Sequence, residues 1–252
     1  MAPPTSTTVL LHGVGLDATM WEPVQAELAG PTLALELPGH GSRPALRAEQ
    51  SLSSLAEDVL RRMPEEPVHL VGFSLGALIA QHIARYASHR VKTLTSVSSV
   101  CQRTPEEAAA VEQRLQTAQQ EFEAGARAAI ARWFPAGTEV PFEVVDQVKS
   151  VLLANDRQSY RHAYAVFARG DRDIGDELSA ISCPSLAITG ELDPGSTPEM
   201  SRRLAEAIPE CRLTVVPQAR HMLPIENAPA VAAAVRDLAQ ASPDAGEGEN
   251  GD

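Results

Sequence analysis

Val68-His69-Leu70-Val71-Gly72-Phe73-Ser74-Leu75-Gly76 is an apolar run that ends on a serine held between two glycines. The run reads as a buried strand, and Leu75, Leu78, Ile79, His82, Ile83 and Tyr86 then recur at helical spacing. Ser74 therefore stands where a strand turns directly into a helix. Gly72 and Gly76 permit close packing there, where a side chain would clash with the neighbouring strand or helix. The helix N-terminus offers N–H groups without intrahelical acceptors and a positive partial charge, a setting that stabilises an anion. The plain alternative is that Ser74 only caps the helix. The rest of the chain weighs against that.

Outward from this turn, short apolar runs alternate with helical patterns, as in a parallel sheet with crossover helices. Strands are expected at Thr8 to His12, Thr32 to Leu37, Val68 to Phe73, Val91 to Val100, Ser185 to Thr189 and Arg212 to Val216. Helices are expected over Thr19 to Leu28 and from a capping box at Ser54-Leu55-Ala56-Glu57 to near Pro64. Three more are expected over Leu75 to Tyr86, from Thr197-Pro198, and from Pro229 to near Gln240.

The alternation breaks between Thr104 and about Leu178, where no buried strand is legible. Thr104-Pro105-Glu106-Glu107 is a capping box with Pro at the first helical position. It opens a pattern with Val111, Leu115, Ala118, Phe122, Ala126 and Ile130 on one stripe. Phe142, Val145, Val148 and Leu152 mark a second helix, and Tyr160, Tyr164 and Phe167 a third. The expected class is α/β, with a mostly parallel sheet flanked by helices. Residues 1–101 and 179–241 form a discontinuous core, 102–178 a helical lid across the sheet, and 242–252 a disordered acidic tail.

Composition narrows the class further. A chain of 252 residues, 44% hydrophobic and 21% charged, can bury a sizeable core without staples. A net charge of -12 argues against a nucleic-acid partner. Cys101, Cys183 and Cys211 cannot all pair and show no metal-ligand spacing, so no metal is expected and a reducing, cytoplasmic location is favoured. Neither a signal peptide nor an apolar run near the roughly 20 residues of a membrane span is legible.

A serine nucleophile needs a base that titrates near neutrality, which points to histidine. Of His12, His40, His69, His82, His89, His162 and His221, only His221 falls on a loop just after the last strand. His69 and His82 flank Ser74 within a strand and a helix and read as structural; His12 reads as a loop organiser. Asp193, after the strand Ser185 to Thr189, is the expected acid partner, with Glu191 of the same loop as its rival. Asp171 and Asp173 read as a solvated charged face. The loop His12-Gly13-Val14-Gly15 can turn the Val14 N–H toward the same point as the Leu75 N–H, giving two donors for an oxyanion.

Together these stretches resemble the α/β-hydrolase superfamily with a helical lid. His12-Gly13, Pro38-Gly39-His40-Gly41, the Ser74 turn, the Asp193 loop and His221 stand in the family's order over all but the tail. The resemblance implies a triad of Ser74, Asp193 and His221, with Val14 and Leu75 as the oxyanion hole. Glu36 stands where many relatives have Asp, a position that is structural in the family. Within the family, the chain most resembles 3-oxoadipate enol-lactonases and nearby carboxylesterases. The stretches that carry this are His12 to Asp17, Asn155-Asp156 followed by Tyr160, and Arg220 to Glu226.

The implied activity is hydrolysis of a small ester or lactone without metal or cofactor. Carbon–carbon bond hydrolysis, cofactor-free haloperoxidase or perhydrolase chemistry, and a non-catalytic binding protein share the same frame. Of Trp133, Phe134, Phe142, Tyr160, Tyr164 and Phe167, most are expected in packing and one or two on a pocket wall. Arg132, Arg157, Arg161, Arg169 and Arg172 each read singly as solvated, although a guanidinium facing the cleft would bind a substrate carboxylate. Cys101 could border the pocket, but a buried thiol is the commoner outcome.

Overall fold

The computed structural model describes residues 6–241, so the tail expected over 242–252 lies outside the described residues. Six strands pair in parallel in the order β2-β1-β3-β4-β5-β6. They are β1 (Thr8–Leu11), β2 (Thr32–Leu35), β3 (Val68–Phe73), β4 (Val91–Val97), β5 (Ser185–Gly190) and β6 (Cys211–Val216). β1, β3, β4 and β5 are interior strands and nearly every residue in them is buried, which is why they read as continuous apolar runs. The helices are α1 (Glu22–Glu27), α2 (Leu52–Arg62), α3 (Leu75–Tyr86), α4 (Pro105–Gln120), α5 (Phe122–Trp133), α6 (Phe142–Ala154), α7 (Arg157–Ile174), α8 (Pro198–Ala207), α9 (Leu223–Glu226) and α10 (Ala228–Ala241). None of the described helices is long and apolar enough to cross a membrane.

Several boundaries differ from the sequence expectations for local reasons. The first helix begins as a 3-10 turn at Ala18–Trp21, capped by Asp17, and becomes α-helical only around Pro23, which has no N–H to give. α2 is capped by Ser51, three residues before the cap of the expected box. The Ser51 hydroxyl accepts from the Ser54 N–H, and the Ser54 hydroxyl accepts from the Ser51 N–H, both at 3.0 Å. β4 stops before Val100 because Ser98 takes φ 45°, which turns the chain away from the sheet. The single stripe from Val111 to Ile130 is split between α4 and α5 at Glu121, though all six residues remain buried. Phe142 opens α6 and is 76% exposed, so that helix packs through Val148 and Leu152 instead.

Four helices, α4 to α7, fill the chain between β4 and β5. Their root is fastened by charge. Arg103 Nη1 lies 2.6 Å from Asp171 Oδ1, and the Arg103 backbone N–H donates to Asp171 Oδ2 at 2.9 Å. The two side chains are only 2% and 1% exposed, so Asp171 is not on the solvated face expected for it. The same guanidinium donates to the Phe167 and Ala168 carbonyls and lies over the Phe167 ring, so one residue grips the last turns of α7 at several points. Nearby, Arg203 of α8 joins Glu107 of α4 at 2.7 Å.

Asn155 and Ser159 fasten the far side of these helices. Asn155 Nδ2 donates to the Gly15 carbonyl at 2.9 Å, and Ser159 Oγ donates to the Gly39 carbonyl and accepts from the Leu46 N–H, each at 3.0 Å. Removing one partner of a buried ion pair leaves an uncompensated charge, typically a loss of about 3–5 kcal/mol. Asp171→Ala should therefore lower the urea midpoint of unfolding by a loss of that size; a midpoint equal to wild type would show that the pair does not hold the root.

Candidate active site

The Ser74 turn is governed by backbone crowding. A Cβ on Gly72 would lie 2.2 Å from the Gly76 carbonyl oxygen, and one on Gly76 would lie 2.3 Å from that of Leu11. Ser74 itself adopts φ 54° and ψ -111°, a conformation that side chains rarely take. Its backbone is held from both ends: the N–H donates to Val97 O at 3.0 Å, and the carbonyl accepts from Ala77 at 3.0 Å and Leu78 at 3.3 Å. The hydroxyl makes no capping hydrogen bond to α3, which removes the cap role as its explanation. Ser74 instead stands on the wall of a cavity of about 160 Å³.

Asp193 and His221 reach the same wall from the carboxyl ends of β5 and β6. His221 Nδ1–H donates to Asp193 Oδ2 at 2.7 Å, which leaves Nε2 with its lone pair. The other Asp193 oxygen accepts from the Gly195 and Ser196 N–H groups at 2.9 Å each. Two rings contact the imidazole, Phe73 tilted at 5.0 Å and Trp133 of α5 stacked at 5.8 Å.

Backbone contacts fix the loop that carries His221. Ser98 Oγ donates to the His221 carbonyl at 3.1 Å, and the Glu226 carboxylate accepts from the N–H groups of Arg220 at 2.6 Å and Met222 at 2.9 Å. Burial pushes the Glu226 carboxyl above its usual range against the pull of those two donors.

The other histidines do not line this cavity. His12 is a loop organiser as expected: Nδ1–H donates to Gly13 O at 2.8 Å, and Nε2 accepts the Leu37 N–H at 2.9 Å. Glu36 continues this support, accepting the Ala18 N–H at 3.2 Å. His69 meets Thr93 at 2.9 Å, and His162 is buried within α7. Glu191 accepts from the Gln218 N–H at 3.0 Å and holds the turn after β6.

Val14 lies on the cavity wall; the side chain of Leu75 is fully buried, and its N–H opens α3, where no intrahelical acceptor exists. Trp133, Tyr160, Tyr164 and Phe167 all line the cavity, more rings than the sequence suggests, whereas Phe134 and Phe142 do not. Arg157, Arg161, Arg169 and Arg172 are exposed; Arg132 turns to the cavity, with Arg114 beside it on the same wall. Cys101 is buried off the wall, and burial pushes its thiol up to about 12.

Ser98, Glu226 and Arg114 are the site residues that sequence reasoning missed. A serine after a strand, a glutamate within a loop and an arginine on a helix carry no periodic or motif signal of their own. Only Glu226 fell within a stretch already noted for its resemblance.

The fold and this wall agree with known proteins. The chain belongs to the alpha/beta hydrolase family, whose model matches residues 8–235. It is 32% identical over 221 residues to the (E)-2-((N-methylformamido)methylene)succinate hydrolase of Acinetobacter baylyi, covering 85% of this chain and 83% of that protein. It is also 32% identical over 246 residues to the pimeloyl-[acyl-carrier protein] methyl ester esterase of Pectobacterium carotovorum, covering 92% and 94%. Among solved structures, the enol-lactonase from Burkholderia xenovorans superposes with a TM-score of 0.83 at 28% identity, covering 94% of this chain and 92% of that one. The chain is a hydrolase of this family.

One pH effect follows from the loop behind Val14. His40 is buried, donates to Pro38 O at 3.0 Å and meets the His12 ring edge-on at 5.1 Å. Burial, with His12 adding to it, pushes its pKa down from 6.5 to about 3. The folded state thus binds fewer protons at this group than the unfolded chain between those values, so stability rises with pH across that window and is lost as pH falls. Wild type should gain about 1.4 kcal/mol per pH unit more than His40→Gln between the two values; urea titrations with equal slopes would refute it.

Proposed function

We propose that Ser74 is the nucleophile of an acyl-transfer hydrolase acting on a small carboxylic ester or lactone, with His221 as base and Asp193 as its orienting acid. The observation that carries this reading is the strained Ser74, freed from capping, on one cavity wall with the His221–Asp193 pair. Ser74 Oγ attacks the substrate carbonyl carbon and its proton passes to His221 Nε2. The Val14 and Leu75 N–H groups hold the tetrahedral oxyanion. Collapse breaks the carbon–oxygen bond, and the leaving oxygen takes the proton from Nε2. Water, deprotonated by the same nitrogen, then releases the acid and restores the serine. Asp193 holds the ring in the tautomer this needs and stabilises the imidazolium that forms.

In this reading residues 102–178 act as the lid, and Trp133 closes the His221 face against water. The relatives support ester and lactone chemistry, one being a methyl ester esterase and another an enol-lactonase. Three free thiols suit a reducing cytoplasm.

Ser74→Ala should lower turnover of short activated esters by roughly 10⁴-fold or more with circular dichroism unchanged. A fluorophosphonate should label wild type at Ser74 and leave the variant unlabelled. Undiminished hydrolysis by Ser74→Ala would overturn the assignment.

A further inference from the structure

The cavity wall carries two cations that acyl transfer does not use, Arg114 of α4 and Arg132 of α5. Elsewhere in the insertion Arg103, Arg127, Arg157 and Arg169 each have a carboxylate partner. Arg161 and Arg172 have none among the described residues but stand exposed in water. Arg114 and Arg132 are different: both are half-buried, and neither makes an ion pair or a hydrogen bond among the described residues. Burial pulls the Arg132 pKa down against the opposing pull of Tyr164, and the charge of Arg114 lowers it further against Tyr160 and Asp193. Guanidinium stays protonated even so.

Two like charges drawn partly out of water on one wall, beside four aromatic rings, are unfavourable until an anion joins them. In a chain of net charge -12, Asp193 is the one carboxylate among the described residues that line this cavity, and it pairs with neither arginine. Asp193, the acid on this wall, is already bonded to His221 and to two backbone N–H groups.

We infer that Arg114 and Arg132 form a carboxylate subsite, so that the substrate is an ester or lactone with a free carboxylate remote from its reacting carbonyl. The cavity of about 160 Å³ limits that substrate to a small acid. The guanidiniums approach from two helices of the insertion, so the carboxylate lies on the roof side while the reacting carbonyl meets Ser74 on the floor. This substrate class rests on the reading of Ser74 as nucleophile; the anion subsite itself does not.

The test compares monomethyl glutarate with methyl butyrate, which differ chiefly in the terminal carboxylate. Charge-assisted hydrogen bonds in a partly desolvated site predict a kcat/KM about 10- to 100-fold higher for the glutarate ester in wild type. In Arg114→Gln/Arg132→Gln that ratio should collapse at least tenfold, and added salt should erode it in wild type. Equal kcat/KM for the two esters in wild type, or a ratio unchanged in the double variant, would overturn the subsite.

Calorimetry of glutarate with Ser74→Ala separates the two readings. Binding there that is lost when both arginines are replaced supports the subsite even if neither ester is turned over, in which case only the acyl-transfer reading fails. Absence of glutarate binding alongside active ester hydrolysis would sink the subsite alone.

Discussion

The close approach of three backbone segments under Ser74 is the constraint on which the rest of the site depends. β3 can pass into α3 in one step only because Gly72 lies against the Gly76 carbonyl and Gly76 against that of Leu11. This compression drives Ser74 to positive φ, and the hydrogen bonds to Val97, Ala77 and Leu78 keep it there. Strain of this kind amounts to about 1–3 kcal/mol and persists only where the surroundings over-determine it. The interior strands and the apolar face of α3 supply those surroundings, since every residue from Leu75 to Gln81 is buried.

The loops are held by a different device. Asp193, Glu226, Asn155 and Ser159 each spend side-chain hydrogen bonds on backbone groups of irregular segments. A buried loop has N–H and C=O groups that no ladder satisfies, and polar side chains at these points supply the missing partners. The His221 loop shows this most fully: Glu226 takes the N–H on either side of the histidine while Ser98 donates to its carbonyl. The position of the imidazole is therefore set by its neighbours' backbone bonds as much as by Asp193.

Residues whose place at the cavity follows from local pattern were legible in the sequence. Ser74 is marked by the strand before it and the helix after it, and His221 and Asp193 by the strands they follow. The six strands were legible because most are interior and continuously apolar. What was not legible arises between positions far apart in the chain: Arg103 with Asp171 across 68 residues, Ser98 with His221 across 123, and Asn155 with Gly15 across 140. Periodicity reports which face of an element is buried, not which buried charge will meet which. Arg132 illustrates the limit. Its inward turn depends on how α5 packs between α4 and α6, and no residue near it in sequence states that.

The stacking of Trp133 on His221 gives the molecule an internal optical gauge. The chain has two tryptophans, and Trp21 is sealed in the core beneath the first helical turn. Trp133 alone rests on the cavity, its indole stacked on the imidazole. Its emission thus answers to the protonation of that ring and to the seating of α5 over it, while Trp21 provides a steady background. The seating of α5 and the state of the imidazole are in this way read by a single chromophore that belongs to the protein itself.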